Sequence, residues 1–135
     1  MGLDIGEKRI GVAVGETEIG IATPYNVIER RGSINDDVYT VIEIAKDQGV
    51  GELVVGLPLS LSGREGPQAR SVRQLVEVIR TQTVLRVRTV DERYSTVDAE
   101  RRMRDAGVKP SLNRGRVDSA AAAIILQAYF DSNSI

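Results

Sequence analysis

Four carboxylates sit where acidic side chains are out of place. Asp4 lies inside the apolar opening MGLDIGEKRIGVAVGE, Asp91 and Glu92 follow the alternating run VLRVRTV, and Asp118 heads VDSAAAAIILQAYF. A carboxylate in such surroundings is costly unless it is paired, hydrogen-bonded or holding a cation. Each has a plain structural alternative: Asp118 suits the dipole at a helix N-terminus, and Asp91 or Glu92 can simply open a loop. Asp4 is the hardest to explain that way. Brought together, such groups hold one or two divalent ions, which activate water and stabilise the attacking and leaving oxygens of a phosphodiester. Glu52 is a weaker candidate, because it begins rather than ends its predicted strand.

The chain contains no histidine and no cysteine. Disulfides, zinc clusters, thiol nucleophiles and imidazole bases are thereby excluded. A site built only of carboxylates points to hard cations, Mg²⁺ or Mn²⁺. Net charge is −1, so the total argues for no particular partner, but the distribution is uneven. Between Arg93 and Val117 there are seven basic residues (Arg93, Arg101, Arg102, Arg104, Lys109, Arg114, Arg116) against three acidic ones (Asp98, Glu100, Asp105). That stretch is either a solvated helix face with its loop or a track for nucleic-acid phosphates. Lys8 and Arg9, in the first turn, and Arg93, beside the acidic pair, carry the same two readings. Arg93 either clamps a phosphate through its forked donors or neutralises Asp91 or Glu92. The loop from Ser60 to Pro67 ends at a predicted helix N-terminus, whose free N–H groups suit an anion.

These side chains must be positioned by elements that the hydrophobic pattern predicts. Residues 2–5 and 10–15 are β-branched, apolar runs separated by the turn-like GEKR, a hairpin signal. A third strand follows in IGIATPYNVIER, with Pro24 confining its well-paired part to Tyr25–Glu29 or placing it at an edge. Ser33 with Asp36 opens a helix that Gly49 stops, ELVVGLPL reads as a strand covered on both faces, and Pro67 begins a second helix. VLRVRTV is the fifth strand, Ser95 or Thr96 caps a third helix ended by Gly107, and VDSAAAAIILQAYF forms a helix apolar around most of its circumference. The order βββαβαβαα implies an α/β domain: an antiparallel meander followed by parallel αβ units in a mixed five-stranded sheet with helices on both faces. A length of 135 residues suits a single domain over 1–135. No signal peptide or membrane span is evident, and a cytoplasmic location is expected.

In this order and spacing, GLDIGEKRIGVAVGE, VVGLPLSLSGREGPQA, DERYST and VDSAAAAIIL resemble the YqgF (RuvX) family, across essentially the whole chain. The resemblance implies a ribonuclease H-like fold related to RuvC-type Holliday junction resolvases. It also implies a nuclease acting in 5′-end maturation of pre-16S ribosomal RNA, with resolution of four-way DNA junctions as the older proposal. Carried over by motif, the acidic metal site is Asp4, Glu92 and Asp118, with Asp91 as an additional partner. Neighbouring strand residues point oppositely, so Glu92 is preferred to Asp91. Only Met1 precedes the first block, so the first strand is expected to be short.

The expected protein is a metal-dependent nuclease binding structured nucleic acid through Arg93, Lys8, Arg9, Arg101, Lys109, Arg114 and Arg116. With Tyr94 the one ring near the site, stacking platforms are scarce, and recognition by shape and charge follows. Two other classes compete: an actin-like nucleotide-binding domain, which also opens on a D-x-G motif, and a nucleic-acid-binding module without catalysis. RNA trimming is compatible with a monomer, whereas symmetric junction resolution needs a homodimer.

Overall fold

Alternation of apolar residues along the strands decides which helix each one meets. The computed structural model describes residues 1–94, 97–107 and 114–133, leaving aside the side chains of residues 94, 97, 98, 100, 114–117 and 133. Strands β1 (Gly2–Ile5), β2 (Arg9–Glu16), β3 (Ile21–Glu29), β4 (Glu52–Leu57) and β5 (Arg86–Asp91) form one sheet in the order β3-β2-β1-β4-β5. The first three are an antiparallel meander, and β1, β4 and β5 run parallel. β1 lies at the centre of the sheet, paired on both sides.

Odd positions of β1, with Ile10 and Val12 of β2 and Leu53, Val55 and Leu57 of β4, face helices α1 (Ile34–Asp47) and α2 (Pro67–Gln82). The alternate residues Ala13, Ala22 and Val54 pack instead against Ala122, Ala123, Ile125, Leu126 and Phe130 of helix α4 (Arg114–Asn133) and Met103 of α3 (Val97–Asp105). The sheet is thus covered on both faces, and α4 crosses β1, β2, β3 and β4. Gln127 is fully buried in this contact, accepting from the Ala22 N–H at 3.0 Å and donating to the Gly20 carbonyl at 2.9 Å. Its polar bonds fasten α4 to the outermost strand. Among the described residues no helix is long and apolar enough to cross a membrane.

Local signals behave as their chemistry predicts. Pro24 lies in β3 at the sheet edge, opposite Ala13 beside a register irregularity, where its missing N–H costs little. The Ser33 side chain accepts from the Asp36 N–H, and Pro67 opens α2 behind Gly66. The caps proposed at Ser95 or Thr96 lie outside the described residues. One boundary is corrected. Residues Arg114–Arg116 belong to α4, not to the preceding polar loop, so Asp118 stands in the second turn of the helix. The dipole account of Asp118 loses its footing there, because the effect fades beyond the first turn.

A buried ion pair anchors the first turn. Arg30 Nε donates to Asp37 Oδ2 at 2.8 Å, Arg30 Nη1 donates to the Gly6 carbonyl at 2.8 Å, and the Arg30 N–H reaches the Lys8 carbonyl at 2.9 Å. The start of α1 and the end of β3 therefore hold the β1–β2 turn in place.

Candidate active site

Parallel β1, β4 and β5 end at one edge of the sheet, and three of the four carboxylates gather there on the face covered by α4. Asp4 pairs in register with Gly11 of β2, and Gly56 of β4 pairs with Val90 of β5. Both glycines are needed for α4 to approach. A Cβ at Gly11 would run into the Asp118 carbonyl, and one at Gly56 would meet Glu92 Oε1 at 2.7 Å as well as Ile125. Close approach by α4 is what Gly11 and Gly56 accommodate.

β5 ends at Asp91, and Glu92 begins a single 3₁₀ turn, Glu92–Tyr94. This break separates the two neighbours. Asp91 lies on the parity of Val87, which faces α1 and α2, and its carboxylate is taken by Arg93, with Arg93 Nη2 to Asp91 Oδ2 at 2.6 Å. Glu92 turns to the α4 face and shares a side-chain hydrogen bond with Asp4. Two carboxyl groups can do so only if a proton lies between them.

Electrostatics follow from that crowding. Burial, reinforced by the nearby Asp118 charge, raises the Asp4 pKa above the usual carboxylate range, while the hydrogen bond from Glu92 works against the rise. Burial, then repulsion from Asp4, pushes Glu92 up to about 7 from 4.5. Asp91 moves the opposite way because Arg93 stabilises its charged form. Asp118, less enclosed, accepts from Arg9 Nε at 2.9 Å. Two half-buried acids joined by a hydrogen bond thus stand beside a third that already holds a cationic group.

The donor set fits a hard divalent ion: every ligand would be a carboxylate oxygen. Among the described residues no three acidic groups are drawn around a common point as the side chains stand. Glu52 lies elsewhere, at the start of β4 and hence at the opposite edge of the parallel strands from Asp4.

The basic residues divide. Lys8 is exposed at the hairpin tip, and Arg9 beside it is bound to Asp118. Arg93 adds to its Asp91 contacts a hydrogen bond from Nη1 to the Leu61 carbonyl at 3.1 Å, and its guanidinium lies against Gly63, so it fastens the 60–65 loop to the end of β5. Arg101 is exposed on α3, while Arg102 Nε pairs with Asp131 of α4 at 3.1 Å. Lys109 and the side chains of Tyr94, Arg114 and Arg116 lie outside the described residues. Sequence reasoning missed the Arg9–Asp118 pair and the spacing roles of Gly11 and Gly56. Small residues at alternate positions along IGVAVG, Gly11, Ala13 and Gly15, were the available signal for Gly11.

The chain is similar to known proteins over nearly its whole length. The family described as "RuvX: Holliday junction resolvase" matches residues 1–132. A relative from Roseiflexus sp. (strain RS-1), provisionally named a pre-16S rRNA nuclease, is 42% identical over 132 residues, 98% of this chain and 93% of its own. One from Anaeromyxobacter dehalogenans (strain 2CP-C), under the same name, is 40% identical over 131 residues, 97% and 95% of the two chains. Among solved structures, Thermus thermophilus RuvC in complex with Holliday junction substrate superposes with a TM-score of 0.67 at 18% identity, covering 97% of this chain and 92% of that one. The sheet described above is thus of the ribonuclease H-like kind.

Proposed function

The chain belongs to the RuvX family, and from that premise we propose that it is a metal-dependent nuclease, a single domain over 1–135 that hydrolyses phosphodiester bonds in structured nucleic acid. Pre-16S ribosomal RNA in the cytoplasm is the substrate favoured by the names of its relatives. The single observation that carries the reading is the meeting of Asp4 with Glu92 and Asp118, from β1, the end of β5 and α4, at one edge of the parallel strands. Grouped acids in an otherwise neutral chain, at the carboxyl ends of parallel strands, have the setting of a catalytic centre.

Asp4, Glu92 and Asp118 would hold Mg²⁺ or Mn²⁺. When bound, a divalent ion supplies Lewis acidity to water and to the phosphate oxygens. The chain does the rest. Its carboxylates fix the place of reaction, Asp91 with Arg93 holds the neighbouring loop, and Lys8, Arg9 and Arg101, with Lys109, Arg114 and Arg116, lead backbone phosphates toward the acids without reading bases. Arg93 joins that track where a phosphate draws it from Asp91.

A second reading is supported by the family description and by the RuvC likeness: the same centre, duplicated in a homodimer, cutting a four-way DNA junction symmetrically. Cleavage of a pre-16S RNA fragment and of a synthetic junction, each with Mg²⁺ or Mn²⁺, separates the two. RNA cutting by a monomer is expected. Asp4→Asn should lower the rate by about 10³-fold while the fold, followed by circular dichroism, is kept. Wild-type cutting rates in that variant would sink the reading. Binding of either substrate without cleavage would identify a non-catalytic module instead.

A further inference from the structure

Arg9 is joined to Asp118 across 109 positions of sequence, at 2.9 Å from Nε to Oδ2. It stands two residues before Gly11, the register partner of Asp4, so its side chain leaves the sheet on the face where the acids gather. The Arg9 backbone is held by the turn, its carbonyl accepting from the Gly6 N–H at 2.8 Å, while its side chain remains 47% exposed. The base is therefore fixed and the guanidinium has room to swing. Two further described guanidinium groups near this edge are occupied, Arg93 with Asp91 and Leu61 and Arg30 with Asp37 and Gly6.

We propose that Arg9 is the built-in counter-ion of the carboxylate centre, occupying Asp118 in the cation-free protein and yielding it when a divalent ion enters. The inference rests on the metal-centre reading above and adds a residue that sets how readily the centre loads. A partly exposed ion pair is weak and easily exchanged, whereas an ion shared by several carboxylates is bound by all of them. Among the described residues Arg9 is the cation paired with Asp118, whose charge acts on Asp4. The pair thus preserves the assembled site at some expense in ion affinity. A residue that merely oriented Asp118 for the ion would have the opposite effect on binding, so the sign of the change decides.

The test is calorimetric titration of the full chain with Mn²⁺, alongside thermal melts in chelator and in saturating Mn²⁺, for wild type, Arg9→Gln, Arg9→Lys and Asp4→Asn. Arg9→Gln is expected to bind Mn²⁺ about fivefold more tightly. Its melting temperature in chelator should be about 3 °C below wild type, a gap that closes in Mn²⁺. Arg9→Lys, which keeps the charge but loses the fork, should fall between and serves if Arg9→Gln does not fold. Equal or weaker Mn²⁺ binding by the Arg9 variants, with wild-type binding intact and lost in Asp4→Asn, overturns this inference alone. Wild-type protein that takes up no Mn²⁺, or Asp4→Asn protein that binds it equally well, overturns the metal centre and the inference together.

Discussion

Glu92 makes the residue scale concrete. Its proton is held in the folded protein up to about pH 7 but lost near 4.5 in the unfolded chain. Between those values the folded state binds more protons than the unfolded one, so stability falls as pH rises and levels off above about 7. Melts of the cation-free protein should show that decline. Glu92→Gln should flatten it and raise the melting temperature at pH 7.5 by about 3 °C, the shift for about 1 kcal/mol after allowance for solvent screening. Asp91, next door, is the contrast. Because it faces the other side of the sheet and is neutralised by Arg93, Asp91→Asn should change cleavage by no more than about threefold. A loss comparable to that of Asp4→Asn in the same assay would move Asp91 into the centre. The divergence of Asp91 and Glu92 was legible from strand alternation, but its cause was not: β5 had to stop at Asp91, and a 3₁₀ turn had to follow.

At the scale of elements, helix α4 and strands β1, β2 and β4 meet through glycine. Gly56→Ala should destabilise by about 1–3 kcal/mol, the usual range for overpacking, and Gly11→Ala by at least as much because its obstacle is helix backbone. Urea denaturation measures both. The same substitutions should also weaken Mn²⁺ binding, since lifting α4 carries Asp118 away from Asp4. The turn bearing Arg9 depends on the enclosed Arg30–Asp37 pair, and Asp37→Asn should cost about 3 kcal/mol by leaving a guanidinium without its partner. The small residues of IGVAVG hinted at the first arrangement, and nothing in the sequence announced the second. Asp37 reads as an ordinary acidic residue in the first turn of a helix, and its reach back to Arg30 depends on how α1 leaves the edge of the sheet.

Across the whole molecule, charge is distributed more tellingly than it is summed. Arg101 and Arg104 are exposed on α3, and Lys8 on the turn beside the acids, in a chain of net charge −1. For about four phosphate contacts, doubling the salt should weaken nucleic-acid binding roughly seven- to twelvefold, measured by fluorescence anisotropy on RNA and on a junction. Loss of affinity that ignores salt would contradict a phosphate track. Solution mass, measured on the same samples, distinguishes a monomer trimming RNA from a pair of centres placed on a junction.

By itself the sequence determined the chemistry available and the succession of elements. With no histidine or cysteine, any catalytic metal had to meet oxygen, and periods of two and of 3.6 residues, punctuated by Ser33, Pro67, Gly49 and Gly107, are local quantities that any reader of the chain can measure. Tertiary structure alone decided the strand order, the earlier start of α4, the proton shared by Asp4 and Glu92, and the Arg9–Asp118 pair. Those depend on distances through space between residues far apart in the chain. Such distances exist only once the parallel strands have crossed over and a helix has been pressed onto their glycines.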